Sequence, residues 1–313
     1  MEELITRREA LKRGIFVSGA FVLAGAGGWA GGAPRKVWAG ETNRGFLIEG
    51  IGRKPDFSVQ ELTQRVFDAA GGMEKFVSKG DVVVVKPNLS WARPPDLAAT
   101  TNPEVLKAVI RLAKEAGAAK VRIADNTIHN AGRCFAITGA GSVAKETGAD
   151  LIYPRSSMMR DMKLQGRRLD VWPVFVPVIE ADKVINLPVA KVHRLCKLTL
   201  GMKNWIGGVG GRRNALHQDI HQTIVDLARF FHPTVTLIDA TRIMVRNGPS
   251  GGSRSDVAVM NRLILSDQPV AADAAAASLF KITPESVGYM VLAQQQGLGS
   301  YDLNALSRKQ VTL

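Results

Sequence analysis

The run Val82 to Val85 ends at Lys86-Pro87-Asn88, and Asn102-Pro103 then opens an amphipathic stretch to about Ala116. β-branched residues crowd a helix and fit a pleated strand. Asn is a favoured helix cap, and Pro fits the first helical turn. The segment therefore reads strand, loop, helix, and the beat repeats. Lys120 to Ala124 is a predicted strand ending at Asp125-Asn126, Ser142 to Thr147 a helix, and Asp150 to Tyr153 a strand. Lys183 to Leu187 reads as a short buried strand, and Gln218 to Phe231 as a helix stopped by His232-Pro233. Thr234 to Ile238 reads as a strand ending at Asp239, and Arg262 to Leu265 as a strand ending at Ser266-Asp267. Helices over Val270 to Phe280 and Pro284 to Gln296 follow. Strands separated by helices predict an α/β fold, with a largely parallel sheet covered by helices on both faces. Residues 154–177 break the beat and predict a small irregular or hairpin insert, with Gly166 at its turn and Pro173 interrupting its second strand.

The chain opens Thr6-Arg7-Arg8-Glu9-Ala10-Leu11-Lys12, ahead of an uncharged Gly- and Ala-rich stretch from Gly14 to Ala33. Paired arginines before a weakly apolar segment are the mark of twin-arginine export, and Arg35 with Lys36 fits the same route. A membrane anchor needs roughly 20 predominantly apolar residues. The glycines at 14, 19, 25, 27, 28, 31 and 32 weaken such a helix, so a removable signal is preferred over an uncleaved anchor. Val37-Trp38-Ala39 is an acceptable cleavage site. The expected organisation is a twin-arginine signal peptide over 1–39, then a single α/β domain over 40–313, working in the periplasm after meeting the twin-arginine translocation machinery.

The formal net charge is +13, and the signal removes only part of it. A basic surface attracts nucleic acid, anionic membrane or small anions. The exported compartment argues against nucleic acid, and the sequence has no zinc-finger spacing, no RNA-binding aromatic signature and no long Lys/Arg run. Cys134 and Cys196 are the only cysteines; their pairing is open from sequence, and they cannot by themselves ligate an iron-sulfur cluster.

Polar residues recur where the predicted strands end. Lys86, Asn88, Asp125, Asn126, Lys191, His193 and Asp239 each follow an apolar run. In open parallel sheets, ligands bind beyond the carboxyl ends of the strands, although Asn and Asp also favour turns there for local reasons. The densest polar segment runs from Lys191 through His193 and Lys197 to Lys203-Asn204 and the glycine-rich Gly207 to Arg213. Glycines bring backbone amides close to an anion and the basic residues neutralise it. Farther on, His217 and His221 lie four apart, a helical spacing that holds a metal, with Asp219 between them. The other reading of that segment is a helix start, with Asp219 in the first turn.

The stretches Val82-Val83-Val84-Val85-Lys86-Pro87-Asn88, Thr100-Thr101-Asn102-Pro103-Glu104-Val105, Asn186-Leu187-Pro188-Val189-Ala190-Lys191-Val192-His193, Gly201-Met202-Lys203-Asn204-Trp205-Ile206-Gly207, Asp239-Ala240 and Asn247-Gly248-Pro249 occur in that order. Together they resemble the domain of unknown function 362 family over roughly residues 80–299. The resemblance implies an α/β core. Many members of that family add a ferredoxin-like segment with cysteine-ligated clusters, which this sequence lacks. It also departs from the family pattern at Asn102 and Val192, where His and Thr are common.

Two functions follow as expectations. One is an exported enzyme acting on an anionic small molecule. In it Lys86, Lys191 and Lys203 bind the anion, Asn88, Asn204 and Asn247 line the ligand site, and His193 with Asp125 or Asp239 transfers protons. The other is a non-catalytic ligand-binding or accessory protein for an exported redox partner. The cofactor is unspecified, with a metal at His217 and His221 as one option.

Overall fold

The computed structural model describes residues 45–53 and 56–313. The expected signal peptide and its cleavage site lie outside these residues. In chain order the strands are β1 (Phe46–Ile51), β2 (Val82–Pro87), β3 (Lys120–Ala124), β4 (Asp150–Ile152), β5 (Met159–Lys163), β6 (Val171–Phe175), β7 (Lys183–Leu187), β8 (Val189–His193), β9 (Lys197–Thr199), β10 (Val235–Met244), β11 (Val257–Ser266) and β12 (Ser307–Thr312). The α-helices are α1 (Val59–Ala69), α2 (Pro103–Glu115), α3 (Ala131–Ile137), α4 (Ala140–Thr147), α5 (Val176–Ile179), α6 (Ile220–Phe231), α7 (Pro269–Ser278) and α8 (Gly288–Gln295).

The main sheet runs β12-β1-β11-β10-β7-β2-β3-β4. From β10 to β4 every pairing is parallel, whereas β11 is antiparallel to both β10 and β1. The fold is α/β as expected, with an antiparallel flank that the strand-helix beat did not reveal. Alternation along β2 explains the two-sided core. Val83 and Val85 pack with Val105, Val109 and Phe67 on one face, while Val84 joins Trp205, Ile224 and Phe231 on the other. Helices α1 to α4 cover the first face and α6 to α8 the second, as the buried residues of each cluster show.

Capping follows the local sequence. Asn102 Oδ1 accepts from Glu104 N, and Pro103 occupies the first turn of α2. Asp219 caps α6, which begins at Ile220, two residues later than the predicted start of that helix. The insert is a hairpin in which β5 and β6 pair antiparallel and Pro173 lies opposite Asp161. Its turn is fastened by the buried Asp226 of α6, whose carboxylate accepts from the amides of Arg167, Arg168 and Leu169 and from Gln222 Nε2.

Three expectations about strand ends change. Asp239 sits inside β10, which extends five residues beyond it because β8 and β11 pair on either side. Lys191 and His193 lie within β8 rather than after a strand. Cys134 and Cys196 are both buried and free, one in each core cluster.

Candidate functional site

Strands β2 and β7 finish together, with Pro87 opposite Leu187. The chain bends at Pro188, and β8 continues along β10 without a β2 neighbour. It then folds back as β9, pairing Lys191 with Thr199 and His193 with Lys197. Because side chains alternate along a strand, Lys191 and His193 share one face, with Thr199 across from Lys191. That face forms a wall of a cleft of about 440 Å³, beyond the carboxyl ends of the parallel strands. The 3-10 helix Met202–Gly208 and the shorter Arg213–His217 supply the opposite side.

Asn88, Lys191, His193, Lys203 and Asn204 all line this cleft, and so does His217. Lys203 is 8% exposed, and no described residue gives its ammonium a hydrogen bond or ion pair. Burial pushes its pKa below the ordinary lysine value. Lys191, 1% exposed, donates to the Ala99 carbonyl at 2.5 Å and more weakly to Asn88 Oδ1 at 3.4 Å. Burial first and the Lys203 charge second bring its pKa down to about 7. Among the described residues no Asp or Glu lines the cleft. Burial and the neighbouring Lys203 also lower His193 to about 3, so its ring is neutral. Its Nδ1 accepts from Leu195 N at 3.2 Å, leaving the proton on Nε2. The His217 ring is stacked 6.2 Å away, and its Nδ1 lies 3.3 Å from the Arg213 carbonyl. A carbonyl only accepts, so His217 carries its proton on Nδ1 and offers a free lone pair at Nε2.

Lys86 and Asp125 stand behind this wall. Their side chains, 0% and 1% exposed, form an ion pair at 2.6 Å, and Asp125 also accepts from Leu89 N. Burial lowers the Lys86 pKa while the Asp125 carboxylate opposes that shift. A Cβ on Gly207 would meet Asp125 Oδ1 at 2.0 Å, so a glycine is what allows the 3-10 helix to lie over the pair. Asn204 Nδ2 ties that helix to the Lys86 carbonyl and to Asn186 Oδ1. Asp239 is equally buried and accepts from Asn102 N and from the Thr241 amide and hydroxyl. Burial raises its pKa. Asp125 and Asp239 therefore fasten loops to the sheet and do not line the cleft, contrary to the expectation that they carry protons there. Asn247 also lies outside the wall, holding Asp256 Oδ1 at 2.8 Å and leaving its neighbour Pro249 to line the cleft.

The expected metal pair is separated. His217 ends a 3-10 helix at the cleft, whereas His221 in the first turn of α6 faces Gly288 of α8. Because the helix begins only at Ile220, the four-residue spacing does not put the two rings on one helical face. Among the described residues no group of three or more His, Cys, Asp or Glu is arranged to hold a metal ion.

Other cleft residues were marked by the sequence only as part of a stretch, or not at all. Arg213 sits in the glycine-rich basic stretch, and its guanidinium is held by the carbonyls of Asn126 and Thr127, both at 2.6 Å. Thr199 is a cross-strand partner of Lys191, and its buried hydroxyl has no partner among the described residues. Nothing in their local sequence distinguishes Thr199, Ser90 or Asn214 from ordinary turn and strand residues.

Residues 83–278 match the family described as Domain of unknown function (DUF362). The chain belongs to the DUF362 family. The quoted stretches that build the cleft, 186–193 and 201–207, fall inside the matched region. A curated relative, Thylakoid-associated protein sll1697 of Synechocystis sp., is 27% identical over 249 residues, covering 74% of this DUF362 chain and 73% of that protein. Among solved structures, the lactate racemase apoprotein from Thermoanaerobacterium thermosaccharolyticum overlaps with a TM-score of 0.44 at 14% identity, covering 75% of this chain and 56% of that one. This chain thus spans little more than half of that protein's length. Among the described residues no helix is long and apolar enough to cross a membrane.

Proposed function

We propose that this DUF362 protein binds an anionic small molecule in the cleft beside β8 and β9 and acts on it by proton transfer. The observation that carries this reading is a cleft lined by Lys191, Lys203 and Arg213 with no carboxylate of its own among the described residues. A buried cation without a counter-ion costs several kcal/mol, on the order of a lost hydrogen-bonded charge pair. An anionic ligand removes that cost. The Thr199 hydroxyl, without a partner among the described residues, and the Asn88 and Asn204 amides add neutral polar groups for orientation. His193, with its proton on Nε2, and His217, with a lone pair on Nε2, are the complementary donor and acceptor that acid-base work needs. Lys86, Asp125, Asp239 and Asn247 serve by holding the walls.

Calorimetric titration with oxalate and with inorganic phosphate, beside neutral glycerol as control, tests the reading. Saturable binding of an anion that Lys203→Met weakens by about tenfold or more is the expected result. No binding, or equal binding by the variant, refutes it.

The reading includes location. The twin-arginine pattern of Arg7 and Arg8, the cleavage site after Ala39 and a single domain over 40–313 together support export in the folded state to the periplasm, through the twin-arginine machinery. The relative named for thylakoid association is compatible with work at a membrane-bounded compartment. Replacing both arginines by Lys should leave the protein in the cytoplasmic fraction with its signal uncut. Unchanged export of that variant overturns the assignment.

A further inference from the structure

Lys191 has an arrangement that anion binding alone does not require. Its Nζ spends donors on two neutral acceptors, the Ala99 carbonyl and Asn88 Oδ1, and no described carboxylate forms an ion pair with it. A neutral amine has two N–H bonds and one lone pair, so these acceptors satisfy both hydrogens and leave the lone pair uncommitted. The residue is buried yet forms part of the cleft wall. A second cation, Lys203, lines the same cleft, and its charge is among the causes that lower the Lys191 pKa to about 7. A desolvated lysine beside another cationic group is the setting in which an amine acts as a nucleophile near neutral pH.

We infer that Lys191 Nζ forms an imine with the carbonyl carbon of a small oxo acid whose carboxylate lies against Lys203 and Arg213. The inference rests on the anion-binding reading of the cleft and adds the electrophilic carbonyl to it. In the first step the amine lone pair forms the C–N bond while the carbonyl π pair moves to oxygen. His217 Nε2 takes a proton from nitrogen and delivers it to that oxygen, giving a carbinolamine. In the second step the remaining N–H proton follows the same route, the nitrogen lone pair closes the C=N bond, and the oxygen leaves as water. Both amine protons end on the departing water, so the step consumes no oxidant or reductant. The resulting imine draws electrons from the adjacent carbon, so the bonds next to the original carbonyl are the ones it weakens. The Thr199 hydroxyl, buried opposite Lys191 and without a partner among the described residues, is placed to hold the carbinolamine oxygen.

The test uses the exported chain with pyruvate and 2-oxoglutarate as probes, with and without borohydride, which reduces an imine to a stable amine. Intact mass and peptide mapping read the adduct, and calorimetry on the same samples reads the binding of both probes and of oxalate, which has no ketone. The expected result is a single borohydride-dependent adduct on Lys191, lost in Lys191→Arg and reduced in Lys203→Met. If the oxo acids bind but no adduct forms, or if it maps to Lys203 or equally to surface lysines, the imine is overturned while anion binding stands. If neither the oxo acids nor oxalate binds, both readings fall.

Discussion

Lys203 and Lys86 are both buried cations, and they differ only in what they face. Lys203 faces an open cleft without a partner among the described residues, so Lys203→Met is expected to weaken anion binding by about tenfold or more, the loss of roughly 1.5–3 kcal/mol for a charged hydrogen bond. The same change removes an unpaired buried charge and is expected to stabilise the fold by roughly 0.5–2 kcal/mol, the usual trade between stability and a poised site. Titration and thermal unfolding on one sample check both signs. Lys86 is locked to Asp125, so Lys86→Met leaves a buried carboxylate unpaired and is expected to cost roughly 3–5 kcal/mol in chemical denaturation. Two buried groups set opposed pH slopes. Lys191 falls from 10.5 to about 7 on folding, so between those values the unfolded chain holds a proton that the folded chain lacks, and its contribution to stability rises with pH. Asp273, which accepts from the amides of Gly201 and Met202, is raised by burial from 3.8 to about 7, so its contribution falls as pH climbs through that window. Compared with the unaltered protein, the unfolding free energy of Lys191→Met should rise less with pH above about 7, where Lys86 and Lys203 add slopes of the same sign, and that of Asp273→Asn should fall less between 3.8 and about 7, where His193 opposes Asp273. The residue types were legible in the sequence, since Lys191, His193, Lys203 and Asn204 stood out and do line the cleft. Their division from Lys86, Asp125 and Asp239 was not, because burial and ion pairing depend on neighbours far along the chain.

The 3-10 helix Met202–Gly208 is the element that closes the site over the sheet. Its Gly207 touches the Lys86–Asp125 pair, so Gly207→Ala forces a Cβ to within 2.0 Å of the Asp125 carboxylate. Loss of the pair is expected, seen as a large drop in stability together with faster amide exchange in residues 202–208. The hairpin β5–β6 is held in a comparable way by Asp226, and Asp226→Ala should expose the amides of residues 167–169 to exchange at a cost of about 1–3 kcal/mol. Caps such as Asn102 and the β-branched run Val82 to Val85 were readable because they are set by residues a few positions apart. The hairpin β8–β9 was not. The segment from Lys191 to Lys197 looks like a charged loop until its pairing with β10 is known, and the same pairing keeps Asp239 inside its strand.

At the scale of the molecule, the sheet joins Phe46 to Ser307 across β1 and β12, and both core clusters share its central strands. The proposed domain over 40–313 is therefore expected to unfold in a single calorimetric transition, with coincident loss of secondary structure and of the Trp205–Phe231 stacking seen by near-ultraviolet signals. Two separate transitions would contradict it. The sequence alone determined the α/β class, the DUF362 resemblance and several of the polar residues that line the cleft. Short-range periodicity decides which segments become strands or helices, and strand ends collect polar groups where helical and loop termini meet water. Tertiary structure alone decided which cations face the cleft, that Thr199 joins them, and that His217 partners His193 rather than His221. Those outcomes depend on which strand runs on past Pro188 and what packs against it, contacts between residues distant in sequence that no local pattern encodes.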